Sequence, residues 1–166
     1  MEPMIQESDR RVGPLFRRSD LVLLLLRVTI GVVFITHGAQ KLFGAFGGQL
    51  DGVATAMTGY GLEPGMFFAL LAGISEFAGG LLLLVGLLTP LAGVVIVGVM
   101  VMAIAVSTGQ GGFIVLGGVG YEYNLVLIAI ALALIIAGPG RLSLDHQLGL
   151  DRAVTERVRR LRPARS

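Results

Sequence analysis

Of the 166 residues, 54% are hydrophobic and only 14% charged, with a mean hydropathy of +0.83, an apolar excess that a water-soluble domain of this length does not carry. The absence of cysteine excludes dithiol exchange, thiolate zinc sites and iron–sulfur clusters built by this chain alone, and with only His37 and His146 a histidine-rich metal site or bis-histidine haem needs ligands from a second chain. Eleven of the thirteen Lys and Arg residues fall in the first 20 positions or after position 140, a pattern of membrane topology and anionic-lipid contact that argues against nucleic-acid binding.

Residues 1–19 are polar and form an N-terminal tail; Arg10-Arg11 resemble an export signal, but no small-residue cleavage site ends the apolar run, so the segment is expected to be retained. Asp20 is placed to cap a first span reaching Phe43. Residues 44–65 form an outer loop, with a short interfacial helix at 53–58 and turn chemistry at 60–65. A second span covers 66–88. Thr89-Pro90 reads as an N-cap followed by proline at the first helical position, opening a third span to Ser107. Residues 108–121 are glycine-rich and uncharged, and the fourth and shortest span, 122–137, is stopped by Gly138-Pro139-Gly140. In the tail, 141–166, Leu150, Val154, Val158 and Leu161 share one helical face among arginines, the pattern of an amphipathic helix on a membrane surface.

The expected fold is therefore all-α: a polytopic membrane protein with a four-helix transmembrane bundle at 20–140 and a short amphipathic C-terminal helix. Four arginines precede the first span and seven follow the last, against Lys41 alone in the outer loops, which puts both tails in the cytoplasm of a bacterial or archaeal plasma membrane.

Charges within the spans carry the functional information, because an ionised group at a helix centre costs about 3 kcal/mol even on insertion scales. Arg27, Gly31, Phe34, Gly38 and Lys41 share one face of the first span, and Gly73, Glu76, Gly80 and Leu83 one face of the second. Arg27 is expected to pair with Glu76 inside the bundle. A second, shallower cluster is expected where His37 and Lys41 come level with Tyr121, Glu122, Tyr123 and Asn124. Two readings stand beside each other. One is a proton or ligand path, or a quinone pocket with His37 and Tyr121 or Tyr123 as hydrogen-bond partners. The other is structural: an ion pair that fixes helix register, with His37 and Lys41 snorkelling to the interface. The glycines are read as close-packing positions.

Taken together, Arg27-x3-Gly31-x2-Phe34-x2-His37-Gly38-x2-Lys41-Leu42-Phe43-Gly44, then Glu76-x3-Gly80, Tyr121-Glu122-Tyr123-Asn124 and Gly138-Pro139-Gly140 before Ser143-Leu144-Asp145 resemble the DoxX family of small membrane proteins. The resemblance covers residues 20–145. It implies a four-helix membrane bundle tied to redox systems: some members are similar to a subunit of a thiosulfate:quinone oxidoreductase, and others are proposed to gather a superoxide dismutase and a sulfurtransferase at the membrane. By the same likeness, Arg27, His37, Lys41, Glu76 and Glu122 are the family's polar core. With no cysteine, sulfur chemistry falls to a partner. The expectation is a non-catalytic subunit or anchor of an oxidoreductase system, with no intrinsic cofactor or metal, quinone as the candidate ligand, and the bilayer, an oxidoreductase-type partner or a homo-oligomer as partners. The alternative is a small oligomeric transporter or proton-coupled channel using Arg27 and Glu76.

Overall fold

The computed structural model describes residues 18–116 and 120–150. Most of the expected N-terminal tail lies outside the described residues, as does the amphipathic helix expected on Leu150, Val154, Val158 and Leu161 beyond Leu150 itself. Among the described residues six α-helices follow in order: α1 (Arg18–Phe43), α2 (Leu50–Gly59), α3 (Gly65–Val85), α4 (Thr89–Val106), α5 (Glu122–Ala137) and α6 (Leu144–Gln147). Helices α1, α3 and α4 are long and apolar enough to cross a membrane. The 16 residues of α5 reach about 24 Å at 1.5 Å per residue, somewhat less than a ~30 Å hydrocarbon core. The chain is an all-α, multi-pass membrane protein.

Because lipid tails are as apolar as leucine, burial from water cannot hold such helices together, and close backbone packing takes over. Helices α1 and α3 are antiparallel and meet through glycines. A Cβ on Gly38 would lie 2.7 Å from the Phe77 Cα, one on Gly80 2.7 Å from the Ile35 nitrogen, and one on Gly31 2.9 Å from the Leu84 Cβ. Helices α4 and α5 form a second pair, with Gly93 against Ile135. Between the pairs lies a core of Ile30, Phe34, Leu83, Ala92, Ile96, Met100, Leu127, Ala131 and Leu134. The glycines expected to be packing devices are used as such.

The helix boundaries have local causes. Gly86 ends α3 in the left-handed region (φ 69°), with Leu87 N–H donating to the Leu82 carbonyl at 2.8 Å and Gly86 N–H to the Leu83 carbonyl at 3.1 Å. This paired arrangement satisfies two of the carbonyls a helix end leaves open. The second span thus stops three residues before the expected Leu88. At the start of α4 the expected N-cap, Thr89, is already helical, and its Oγ1 is buried with no partner among the described residues. The cap comes from far along the chain: Asp145 accepts from Leu88 N–H at 2.7 Å and from Thr89 N–H at 2.9 Å. A carboxylate outcompetes a hydroxyl here because it accepts two bonds and faces the positive end of the helix dipole. Asp20, expected to open the first span, sits inside the first turn of α1, and its Oδ1 accepts from Arg141 N–H at 3.0 Å.

The bundle therefore has two distinct ends. At one, called the latch end here, α1 starts, α5 stops, and residues 140–147 fold across the α3–α4 turn. At the other, the loop end, lie α2 and the connection from α4 to α5.

A candidate ligand site at the loop end

Helix register decides which charges meet. Packing of Gly38 on Phe77 and of Gly73 on Leu42 sets Glu76 level with residues 37–41 of α1. Lys41 Nζ and Glu76 Oε2 are 2.6 Å apart, with the side chains 18% and 6% exposed. The same ammonium reaches the His37 carbonyl at a long 3.5 Å. His37 Nδ1 lies 2.8 Å from the Val33 carbonyl, one turn back on α1. A carbonyl only accepts, so Nδ1 carries the proton and Nε2 is left as an acceptor when the ring is neutral.

These groups border a cavity of about 940 Å³ between the two helix pairs. Val33, Phe34, Leu71, Val95, Val99, Met100 and Leu127 give it apolar walls, and α2 covers it with Val53, Ala56 and Met57. Its polar side chains fall in two groups: His37, Lys41, Ser75 and Glu76 from α1 and α3 with Tyr123 and Asn124 from α5, and Gln49, Tyr60, Ser107 and Thr108 at the loop end. Asn124 Nδ2 donates to the Met100 sulfur at 3.3 Å, a weak bond that holds the amide against the wall. Tyr60 at the end of α2 and Ser107 at the end of α4 are 3.0 Å apart through their hydroxyls on the loop-end lining of the cavity. An apolar chamber with a small set of convergent polar groups is the usual form of a small-molecule site.

Arg27 belongs to the other end. It is fully buried and donates through Nη2 to the Leu142 carbonyl, while Nε and Nη1 have no partner among the described residues. Asp145 carries the nearest opposing charge felt by the buried guanidinium, without an ion pair between them within 4 Å. The guanidinium fills the space beside Gly86, where any Cβ would overlap it. Asp145 N–H donates to the Gly86 carbonyl at 2.9 Å, and Ser143 Oγ joins the Gly140 carbonyl at 2.5 Å to the His146 N–H at 3.2 Å. Arg27, Asp145 and Asp20 thus clamp residues 140–147 onto the bundle.

The expected Arg27–Glu76 pair does not form. Glu76 is level with positions at least ten residues along α1 from Arg27, roughly 15 Å at 1.5 Å rise, farther than an arginine side chain reaches. Ile30 and Phe34 lie between them in the apolar core. The expected second cluster also divides. His37, Lys41, Tyr123 and Asn124 line the cavity together with Glu76, whereas Tyr121 and Glu122 do not. Tyr121 packs edge-on against Phe113 with ring centroids 5.3 Å apart. Glu122 Oε2 is buried beside Gly120 with no partner among the described residues.

Sequence reasoning missed Tyr60, Ser75 and Asp145. Ser75 adjoins Glu76 and follows from the same helical face. Asp145 was legible as a charge just beyond the Gly-Pro-Gly stop, but its partners lie 56 and 57 positions away in the chain. Tyr60 had no distinguishing signal.

Searches among curated proteins and solved structures return no match. A model of the DoxX family matches residues 22–109, the stretch from early α1 through the end of α4 that carries Arg27, His37, Lys41 and Glu76, and the chain belongs to the DoxX family.

Proposed function

We propose that this DoxX protein is a ligand-binding membrane subunit of an oxidoreductase system handling thiols, sulfur compounds or oxidative stress, and that its cavity receives a quinone-type ring. The observation that carries the reading is the cavity's polarity pattern: about 940 Å³ of mostly apolar wall with His37, Lys41 and Glu76 on one side. A quinone ring matches this division. Its body packs on Phe34, Met100 and Leu127, and a ring oxygen accepts from Lys41 or protonated His37, or as a hydroxyl donates to neutral Nε2. Bound quinone would supply two-electron redox chemistry; this chain's part is to hold and orient the ring and keep water from it. Without cysteine, any thiol or sulfur step belongs to a partner. Superoxide dismutase and sulfurtransferase are the partner classes implied by family likeness.

Both arginine-rich ends are assigned to the cytoplasmic side of a prokaryotic plasma membrane by the charge bias, where they meet that partner or anionic lipid. The transporter alternative loses the Arg27–Glu76 pair on which it rested, since apolar core separates the two groups.

The test is mass spectrometry of the tagged chain purified from native membranes in mild detergent, scoring copurified proteins and extracted quinone against an unrelated four-helix protein. Quinone or an oxidoreductase partner near stoichiometry is expected, with His37→Ala lowering quinone content at equal protein yield. A clean homo-oligomer with neither partner nor quinone overturns the proposal.

A further inference from the structure

The cavity has an asymmetry in its walls that bears on how a ligand reaches it. Helices α3 and α4 are tied together at the latch end by residues 86–88 and still touch where a Cβ on Gly79 would lie 3.1 Å from Ile96. Beyond that level both helices line the cavity. Helix α3 turns Phe68, Leu71 and Ser75 to it, and α4 turns Val95, Gly98 and Met102. At 100° per residue, Leu71 is the cavity-lining residue of α3 nearest the outward stripe of Phe67 and Ile74. On α4, Gly98 is the one nearest the outward stripe of Leu91, Val94 and Val101. Leu71 is 50% exposed and Met102 44%. A Cβ built on Gly98 would meet nothing within 4 Å, although other glycines of these helices are pressed against neighbours.

At the loop end the same chamber is covered by α2 and lined by Tyr60 and Ser107, whose hydroxyls meet. No charged residue occurs from Phe77 through Tyr121, so the α4 wall of the opening offers nothing to a water-soluble ion.

We infer that the cavity opens sideways into the bilayer between α3 and α4, through a window bounded by Leu71 and Gly98, and that its ligand is a membrane-dissolved amphiphile whose alkyl tail lies in that window. The inference rests on the reading of the cavity as a ligand site, and it adds the tail and the route. A glycine at position 98 leaves the gap that a chain of methylenes fills. The polar head turns inward to His37, Lys41 and Glu76 while the tail stays in lipid, so the head reaches its partners without passing the α2 cover.

The test uses the full chain reconstituted in phosphatidylcholine vesicles, with a fatty-acyl diazirine dissolved in the bilayer as one probe. A dimethoxy-methyl benzoquinone, with and without a decyl tail, forms the second. In the wild type, photolabel should appear on the cavity-lining Met57 and Leu127 as well as on the outward Ile136. Gly98→Trp should cut labelling of Met57 and Leu127 at least tenfold and leave Ile136 unchanged. Leu71→Trp, which narrows the window from the α3 side, should do the same. Both variants should weaken the decyl quinone about tenfold and the tail-less ring markedly less. Undiminished labelling of Met57 and Leu127 in both variants overturns the window, as does equal loss of tailed and tail-less rings. If neither ring binds the wild type while cavity labelling still depends on positions 98 and 71, the window stands and the quinone reading falls.

Discussion

Removing the Asp145 carboxylate tests the clamp at the latch end most directly. Asp145→Ala strands the Leu88 and Thr89 N–H groups, now held at 2.7 and 2.9 Å, and loss of such a cap costs about 1–2 kcal/mol. It also removes the negative charge acting on Arg27, which is fully buried. The two groups make no ion pair within 4 Å, so losing this charge costs well under the about 3–5 kcal/mol of a broken buried pair. The two losses overlap, since one carboxylate serves both, so a total of about 2–3 kcal/mol is expected. Leu88, in the left-handed region at φ 49°, should then relax and unwind the first turn of α4. Asp145→Asn keeps one acceptor oxygen and should lose about 1 kcal/mol. The assay is the unfolding free energy in mild detergent, combined with amide exchange at residues 88, 89, 91 and 92, which should quicken in Asp145→Ala. A double-mutant cycle with Arg27→Met supplies the control: if the two groups act together, Arg27→Met should cost much less in the Asp145→Ala background than alone. Stability within about 0.5 kcal/mol of wild type, or strictly additive losses, would refute the coupling of Arg27 and Asp145.

Two further outcomes follow from the packing and from the ion pair. Gly38→Ala should destabilise by about 1–3 kcal/mol in the same unfolding assay, because its Cβ meets the Phe77 backbone and the helices must part; Gly98→Ala, facing open space, should be neutral. Glu76→Gln should cost about 1–3 kcal/mol by leaving Lys41 without its carboxylate, and Lys41→Met combined with Glu76→Gln should recover most of that loss. Unequal unfolding of the two glycine variants, and non-additivity in the charge cycle, are the readings that check these statements.

Much of the helical framework was legible from hydrophobic runs and punctuation. Spans at 20–43, 66–88, 89–107 and 122–137 correspond to α1, α3, α4 and α5 within a few residues, since an apolar run has few alternatives to a helix in lipid. The buried face of α1 was also legible: Arg27, Gly31, Phe34 and Gly38 are buried as helical spacing requires. Helix α2 is longer than the 53–58 segment expected, because Leu50 and Asp51 continue its first turn in a stretch without proline.

What the chain's order of residues determined by itself is therefore local: which segments are helical, which face of each is buried, and which charges must find partners away from lipid. Which partner each charge finds was decided only by tertiary structure. Glycine contacts between α1 and α3 fix an antiparallel register that sets Glu76 against Lys41 and Arg27 against the α3–α4 turn. A shift of one helical turn would move each group by about 5.4 Å and exchange its neighbours. Asp145 reaches α4 only because residues 140–147 fold back across that turn. Periodicity within one helix carries no information about the axial offset of the next, and a polar group buried in an apolar bundle meets whatever that offset brings level with it.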